Sequence, residues 1–290
     1  MNIKDQYLEL ALAGEVPLIF DGGFGTMVQM MHLDTTGTVG DVLNFTQPAA
    51  VTAIHQAYVD AGAQCILTST FNSNRFGVAK YPGMRSVREM YAAAVENVRA
   101  ANPEYVVGDI GPCGRLLEPY GDATEDELYD CFAEQVDAAC KAGVDLIMVE
   151  TMLCLEEAEL AVRAAADFGN VPVVASMSFE ASGKTMYGNT PAQAANVLTT
   201  VGASIVGANC SVGPDDLIAV AKEYVQNSFV PVLIKPNAGL PVKVGDEFVY
   251  NITPSQFAES MRKIVAQGVT CVGGCCGTTP DFIAAVSAMF

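Results

Sequence analysis

Histidine is almost absent from this chain of 290 residues, which carries only His32 and His55. Neither ends a strand-like run: His32 falls in a long loop, and His55 follows Ile54 on a segment that reads as a helix surface. A Ser-His-Asp or Cys-His mechanism is therefore poorly supported, and a His-rich hydrolytic zinc site is excluded. Basic residues are scarce too, with 15 Lys and Arg against 33 Asp and Glu and a formal net charge of −18. That field repels phosphate backbones and anionic lipid, and no Lys/Arg cluster offers a local exception, so neither nucleic acid nor a membrane surface is an expected partner. No apolar run approaches the roughly 20 residues of a spanning helix, and the polar start MNIKDQYLEL lacks the layout of a secretory signal. The chain reads as cytoplasmic.

A Pro/Ser-rich linker is also missing, which leaves no place to cut a second domain, and residues 1–290 are read as one. Hydrophobic residues make up 51% and charged ones 17%, a balance that suits a sheet buried beneath helices. Eight short β-branched runs alternate with longer amphipathic segments: VPLIFDGG, QCILTST, YVVGDIG, DLIMVET, VPVVASMSF, SIVGANC, VPVLIKPNAG and VTCVGGCCG. The count predicts an α/β protein, a (β/α)8 TIM barrel of a single domain, preceded by a helix near residues 3 to 13. An open doubly wound sheet is the competing architecture. Its nucleotide loop is not matched, however, because Asp21-Gly22-Gly23-Phe24-Gly25-Thr26 departs from G-x-G-x-x-G.

Helix starts are written plainly. Thr190-Pro191-Ala192-Gln193 and Thr253-Pro254-Ser255-Gln256 each set a capping Thr, a Pro at the first helical position and a Gln at the third, and Thr124 to Glu127 forms another capping box. Leu128, Phe132, Val136 and Ala139 then recur on one face of a helix predicted to end at Gly143.

In a (β/α)8 barrel the site lies at the carboxyl ends of the strands. The residues there are Asp21, Thr70, Asp109, Glu150, Ser178, Cys210, Asn237 and the pair Cys275-Cys276. Polar groups ending buried strands are costly unless they bind something; Thr70, Ser178 and Asp109 read equally well as caps of the following helices. Nine cysteines without regular spacing fit reduced thiols rather than a disulfide framework. Cys65, Cys131, Cys140 and Cys154 lie in or beside apolar stretches and read as core packing.

Cys210, Cys275 and Cys276 differ, since one thiol ends the sixth run and two end the eighth. Adjacent residues of a regular strand face opposite ways, so both members of the pair can reach one metal only where the strand breaks. Gly273, Gly274 and Gly277 permit that break. Three thiolates suit tetrahedral zinc with one position open for substrate. Buried inert thiols, or a closed four-cysteine site using Cys113 or Cys271, are the structural alternatives.

The segments GANC (207–210), GGCCGTTP (273–280), DGGFGTM (21–27) and PNAGLP (236–241) resemble the homocysteine S-methyltransferase family over nearly the whole chain. GGCCGTTP together with TFNSN (70–74) looks most like the homocysteine-binding module of cobalamin-dependent methionine synthase. The betaine-dependent and S-methylmethionine-dependent branches are more distantly similar. The resemblance implies a (β/α)8 barrel in which Cys210, Cys275 and Cys276 bind Zn2+. It also implies that Asp21 and Glu150 hold the amino group of homocysteine, that amides around Gly22 and Gly23, with Thr26, receive its carboxylate, and that Asn237 lines the site and fills zinc's open position before substrate arrives. No catalytic residue beyond the zinc site is implied. A free thiol has a pKa of roughly 8.5, and coordination would deprotonate it for attack on an activated methyl group. No folate-binding, cobalamin-binding or reactivation module follows the barrel, and neither histidine sits in a cobalt-ligating D-x-H-x-x-G pattern. The methyl group is thus expected from a methylated corrinoid on a separate protein, or from betaine or S-methylmethionine, an excised module being the remaining alternative. Lys235 at the end of the seventh run leaves room for a Schiff-base lyase, and a non-catalytic zinc- or amino-acid-binding module is a third reading.

Overall fold

A computed structural model of the protein describes residues 3–244 and 247–290. In chain order its strands are β1 (Leu18–Ile19), β2 (Cys65–Leu67), β3 (Tyr105–Ile110), β4 (Leu146–Met152), β5 (Val173–Met177), β6 (Ile205–Asn209), β7 (Val232–Lys235), the hairpin strands β8 (Val242–Val244) and β9 (Glu247–Val249), and β10 (Cys271–Val272). The helices are α1 (Ile3–Leu12), α2 (Phe24–Met30), α3 (Leu43–Thr46), α4 (Pro48–Asp60), α5 (Arg75–Lys80), α6 (Val87–Ala100), α7 (Glu125–Ala142), α8 (Leu155–Phe168), α9 (Pro191–Thr200), α10 (Leu217–Asn227), α11 (Pro254–Val265) and α12 (Pro280–Ser287).

The main sheet has eight strands in the order β1-β10-β7-β6-β5-β4-β3-β2, all parallel. Its two ends meet. Phe20 bridges Cys65, Asp21 N donates to Cys65 O at 3.0 Å, and Gln64 N donates to Ile19 O at 2.8 Å. This seam closes the barrel and rules out the open doubly wound sheet. The hairpin β8–β9, inserted between β7 and α11, had no counterpart in the eight-run pattern.

Strand side chains alternate between two buried environments. Leu18, Leu67, Val107, Met148, Val174 and Leu233 fill the barrel interior, whereas Ile19, Ile66, Val106, Ile147 and Ile234 belong to the layer beneath the helices. Tyr7, Leu8, Leu12 and Val16 of and after α1 pack on the interior cluster, and Tyr7 OH donates to Pro17 O at 2.7 Å. The amino-terminal helix thus stoppers the end opposite the site. Toward the carboxyl ends the same alternation brings polar residues inward: Asp109, Glu150, Ser176, Asn209 and Lys235, all buried.

Local signals agree with these elements. Capping boxes form at Thr124/Glu127, Thr190/Gln193 and Thr253/Gln256, and α7 ends at Gly143 in the left-handed conformation, φ 91°. His55 requires a correction, because it is not a helix-surface residue but is 1% exposed. Phe24 of α2 lies over this face of α4, its ring centroid 5.7 Å from the imidazole at 25°; the covering contact comes from a segment thirty residues away and leaves no trace in α4's own periodicity.

Burial pushes the His55 pKa down from 6.5 to about 3, so the ring is neutral in the fold. The folded value lies below the unfolded one. Its contribution to stability is therefore complete above about pH 6.5 and is lost as pH falls from there toward 3. Replacing the ring by His55→Phe should make the protein lose less stability than the parent between pH 7 and pH 4.5 in urea unfolding. Parallel losses would show that His55 does not titrate as a buried group.

Candidate metal and substrate centre

Strand β6 ends at Asn209, and the next two residues, Cys210 (φ 63°) and Ser211 (φ 57°), are both left-handed. Non-glycine residues in this region cost on the order of 1–3 kcal/mol each and persist only where their surroundings hold them. The hold here includes Cys210 N to Lys235 O, 3.1 Å, and Val212 N to Cys210 O, 2.8 Å. Strand β10 stops at Val272, and Gly273-Gly274 carry the chain over the mouth. A Cβ on Gly274 would collide with Thr278, and Gly277 has φ 81° and lies against the Tyr250 ring. The expected break is present and falls ahead of the pair, so that both cysteines lie in the turn beyond β10. Cys275 N donates to Pro236 O (2.9 Å), Cys276 N to Asn237 Oδ1 (3.1 Å) and Ala238 N to Cys276 O (2.9 Å), so the turn is tied to the segment after β7.

This backbone brings the Sγ atoms of Cys210, Cys275 and Cys276 within 4.8 Å of one another, with Cys210 and Cys276 3.8 Å apart. No fourth thiol joins them among the described residues. Cys113 Sγ is bonded to Arg115 O, and Cys271 belongs to the interior apolar cluster. In Cys276, a hydrogen bond with Cys210 lowers the pKa, but the contact with Cys275, its charge and burial prevail and push it up to about 12. Left to themselves the three thiols resist ionising together; a cation among them reverses that preference.

The trio faces a cavity of about 390 Å³, whose wall also includes Asp21, Gly22, Gly23, Thr26, Asp109, Glu150, Lys235 and Tyr250. Asp21 is not a helix cap: its Oδ2 accepts from Leu67 N at 2.9 Å and its Oδ1 pairs with Lys235 Nζ at 3.2 Å. Glu150 Oε2 and Asp109 Oδ1 are buried without a partner among the described residues. Burial raises the pKa of Glu150, and burial followed by the charge of Glu150 raises that of Asp109. For Lys235, burial alone would lower the pKa, yet the charges of Asp21 and Glu150 outweigh it and hold the amine above its ordinary value. An ammonium so held is a poor nucleophile, which removes the support for the Schiff-base reading.

Several strand-end residues have other tasks. Thr70 Oγ1 donates to Asp109 O (2.8 Å) and Ser178 Oγ to Asn209 O (3.0 Å), so they link strands rather than cap helices; Asn74 caps α5. Gly23 N donates to Thr278 O at 3.2 Å, and Thr26 Oγ1 accepts from Gly277 N at 2.8 Å, so both also brace the cysteine turn. Asn237 is not part of the cavity wall; its side-chain Oδ1 accepts from Cys276 N. One contributor was singled out for another role, Lys235, and one was not anticipated, Asn209. Lys235 is the counter-ion of Asp21, and Asn209 is hydrogen-bonded to Thr151, Ser176 and Cys275. Both were legible as inward positions at strand ends, once the phase of the alternation is known.

A (β/α)8 barrel with three converging thiols and unpaired buried carboxylates at its mouth has the make-up of an enzyme centre for a soft cation and a charged small molecule. The family model described as Homocysteine S-methyltransferase matches residues 18–290, and the chain belongs to that family of methyltransferases. Methionine synthases of Mycobacterium leprae (strain TN) and Mycobacterium tuberculosis are 30% and 31% identical over 93% of this chain. The matched region is 24% of each, so the chain spans about a quarter of the length of these curated relatives. The metallated form of the homocysteine methyltransferase MmuM from Escherichia coli superposes with a TM-score of 0.82 at 21% identity, over 98% of this chain and 99% of that one. It shares the fold.

Lys235→Met would strand the Asp21 charge in the interior. Breaking a buried pair on one side costs about 3–5 kcal/mol. Burial raises the Asp21 and Glu150 pKa values, so the stranded charge is relieved as pH falls, and the loss should be smaller at pH 5 than at pH 7. Denaturant unfolding of variant and parent at both pH values checks it; a gap independent of pH would contradict the assignment.

Proposed function

We propose that this chain is a zinc-dependent homocysteine S-methyltransferase that forms methionine, drawing its methyl group from a methylated corrinoid carried on a separate protein. The observation that carries the reading is the convergence of three Sγ atoms within 4.8 Å on a cavity shared with the unpartnered Glu150 carboxylate. The donor set fits zinc, since three soft thiols without a fourth leave one position toward the cavity. When bound, zinc supplies a divalent charge that keeps a fourth thiol deprotonated near neutral pH.

The chain's own residues set the rest of the chemistry. Glu150 offers a free oxygen to the substrate ammonium, and Asp21, fixed by Leu67 N and Lys235, adds negative charge on the same side. The substrate carboxylate is directed to the turn from Gly22 to Thr26, where α2 starts and its first amides lack helical partners. Gripping both ends of a zwitterion aims its sulfur toward the cysteine trio and makes the later collision nearly unimolecular. Tyr250 and Gly274 of the glycine-rich turn form part of the cavity wall.

For the donor, two observations support a macromolecular source. The matched relatives are methionine synthases several times longer than this chain. The loops after β3, β4 and β5 expose Leu116, Tyr120, Leu153, Met186 and Tyr187 around the mouth. Such an apolar rim in a chain of net charge −18 suits contact with a protein surface better than with a hydrated small donor.

Metal analysis is expected to find about one zinc per chain, lost when Cys275→Ala and Cys276→Ala are combined. Full retention in that double variant would remove the assignment. Glu150→Gln should keep zinc and weaken homocysteine binding in calorimetry by roughly tenfold, the worth of one charge-assisted hydrogen bond; unchanged affinity would exclude Glu150 from the ammonium site. With homocysteine present, a methylated corrinoid protein should lose its methyl–cobalt absorbance as methionine accumulates, and free methylcobalamin should serve poorly. Rapid turnover with betaine or S-methylmethionine and none with either corrinoid would overturn the donor while leaving the thiol chemistry intact.

A further inference from the structure

We propose that Asn209 is a positioning residue that locks the Cys275 sulfur and the Glu150-bearing strand end into one register; this rests on the metal and substrate roles proposed above. Asn209 is the last residue of β6 and is 0% exposed. Its side-chain orientation is fixed by a backbone group, since Thr151 N can only donate and therefore faces Oδ1, at 2.8 Å. The same oxygen accepts from Ser176 Oγ at 2.5 Å. Nδ2 must then face the other way, where it meets Thr151 Oγ1 at 2.8 Å and Cys275 Sγ at 3.8 Å. One amide thus joins β4, β5 and the turn after β10 and uses all four of its hydrogen-bonding positions.

The two halves of this amide do different things. Its oxygen satisfies strand-end donors, which any buried amide would need to do. Its nitrogen aims an N–H at a sulfur of the metal trio, which stability alone does not require. A donor of this kind withdraws electron density from a thiolate and sets its direction, and such partners outside the ligand shell commonly govern metal affinity. The Thr151 end matters as much. Thr151 is held at φ 59° in a register irregularity of β4 between Val149 and Met152, directly after Glu150. Pinning Thr151 through both its N–H and its hydroxyl fixes where the Glu150 carboxylate emerges. The distance from the ammonium acceptor to the metal-binding sulfur is therefore set by a single side chain, and with it the length of amino acid whose thiol can reach the trio.

Asn209→Asp separates the halves, because the carboxylate keeps the acceptor positions and loses both N–H donors. With cobalt(II) as the bound probe, the thiolate-to-metal absorption should move to longer wavelength, since the Cys275 sulfur becomes more electron-rich. Zinc affinity in chelator competition should fall about 10- to 100-fold. Ser176→Ala, which touches only the oxygen side, should leave band and affinity in place. If Asn209→Asp does not fold, Thr151→Gly decides: φ 59° accommodates glycine, one of the two acceptors aiming Nδ2 is gone, and the band should shift the same way by less. Metal uptake with an unshifted band and unaltered affinity in the folded variants overturns this inference alone. Failure of the unaltered chain to take up either metal overturns the reading it rests on as well.

Discussion

The barrel closes through Asp21, and the centre is built on the same residue. Its backbone N–H forms part of the seam with Cys65, one carboxylate oxygen anchors Leu67 N of β2, and the other holds Lys235 of β7. Closure and charge placement are therefore not independent. A barrel opened at the β1–β2 seam would release the carboxylate that compensates Lys235, and loss of Lys235 would leave an uncompensated anion at the seam. Breaking such a buried pair on one side is far more costly than disturbing a surface one, so this contact ties the closure of the barrel to the charge placed at its mouth.

Around that seam the inward-facing residues form a gradient. The lower levels of the barrel are aliphatic and sealed by α1, while the top level carries Asp109, Glu150, Ser176, Asn209 and Lys235. Several of these are mutually satisfied, and the ones left open, Glu150 Oε2 and Asp109 Oδ1, border the cavity beside the three thiols. Backbone strain is concentrated in the same region, with Thr151, Cys210 and Ser211 all left-handed. Stability elsewhere in the fold, from capping boxes and two apolar layers, sustains that strained and under-satisfied rim.

How much of this could be read in the sequence follows from how local each signal is. Helix caps at Thr124, Thr190 and Thr253 involve residues three apart, and they are visible without a fold. The cysteine turn was legible because Gly273, Gly274 and Gly277 announce a break in a run that must otherwise point its two thiols apart. His55 was misread because its cover is the Phe24 ring, a contact between different elements. Asn237 was placed in the site by resemblance, whereas its side-chain oxygen holds Cys276 N; Thr26 does line the cavity and in addition holds Gly277 N, a task the sequence did not show. Lys235 was noticed only as a candidate nucleophile and Asn209 lay unread, because the partners that define them, Asp21 for the one and Thr151, Ser176 and Cys275 for the other, come from different strands and turns.

The stopper formed by α1 has a consequence for the order of events. With the lower end packed by Tyr7, Leu8, Leu12 and Val16, the mouth is where acceptor, donor and product all have to pass. A donor large enough to rest on the Tyr120–Tyr187 rim would cover that doorway while it is seated. For such a donor the small amino acid would have to be first in and last out, a queue in which the bulky visitor arrives after the acceptor and departs before methionine is free to go.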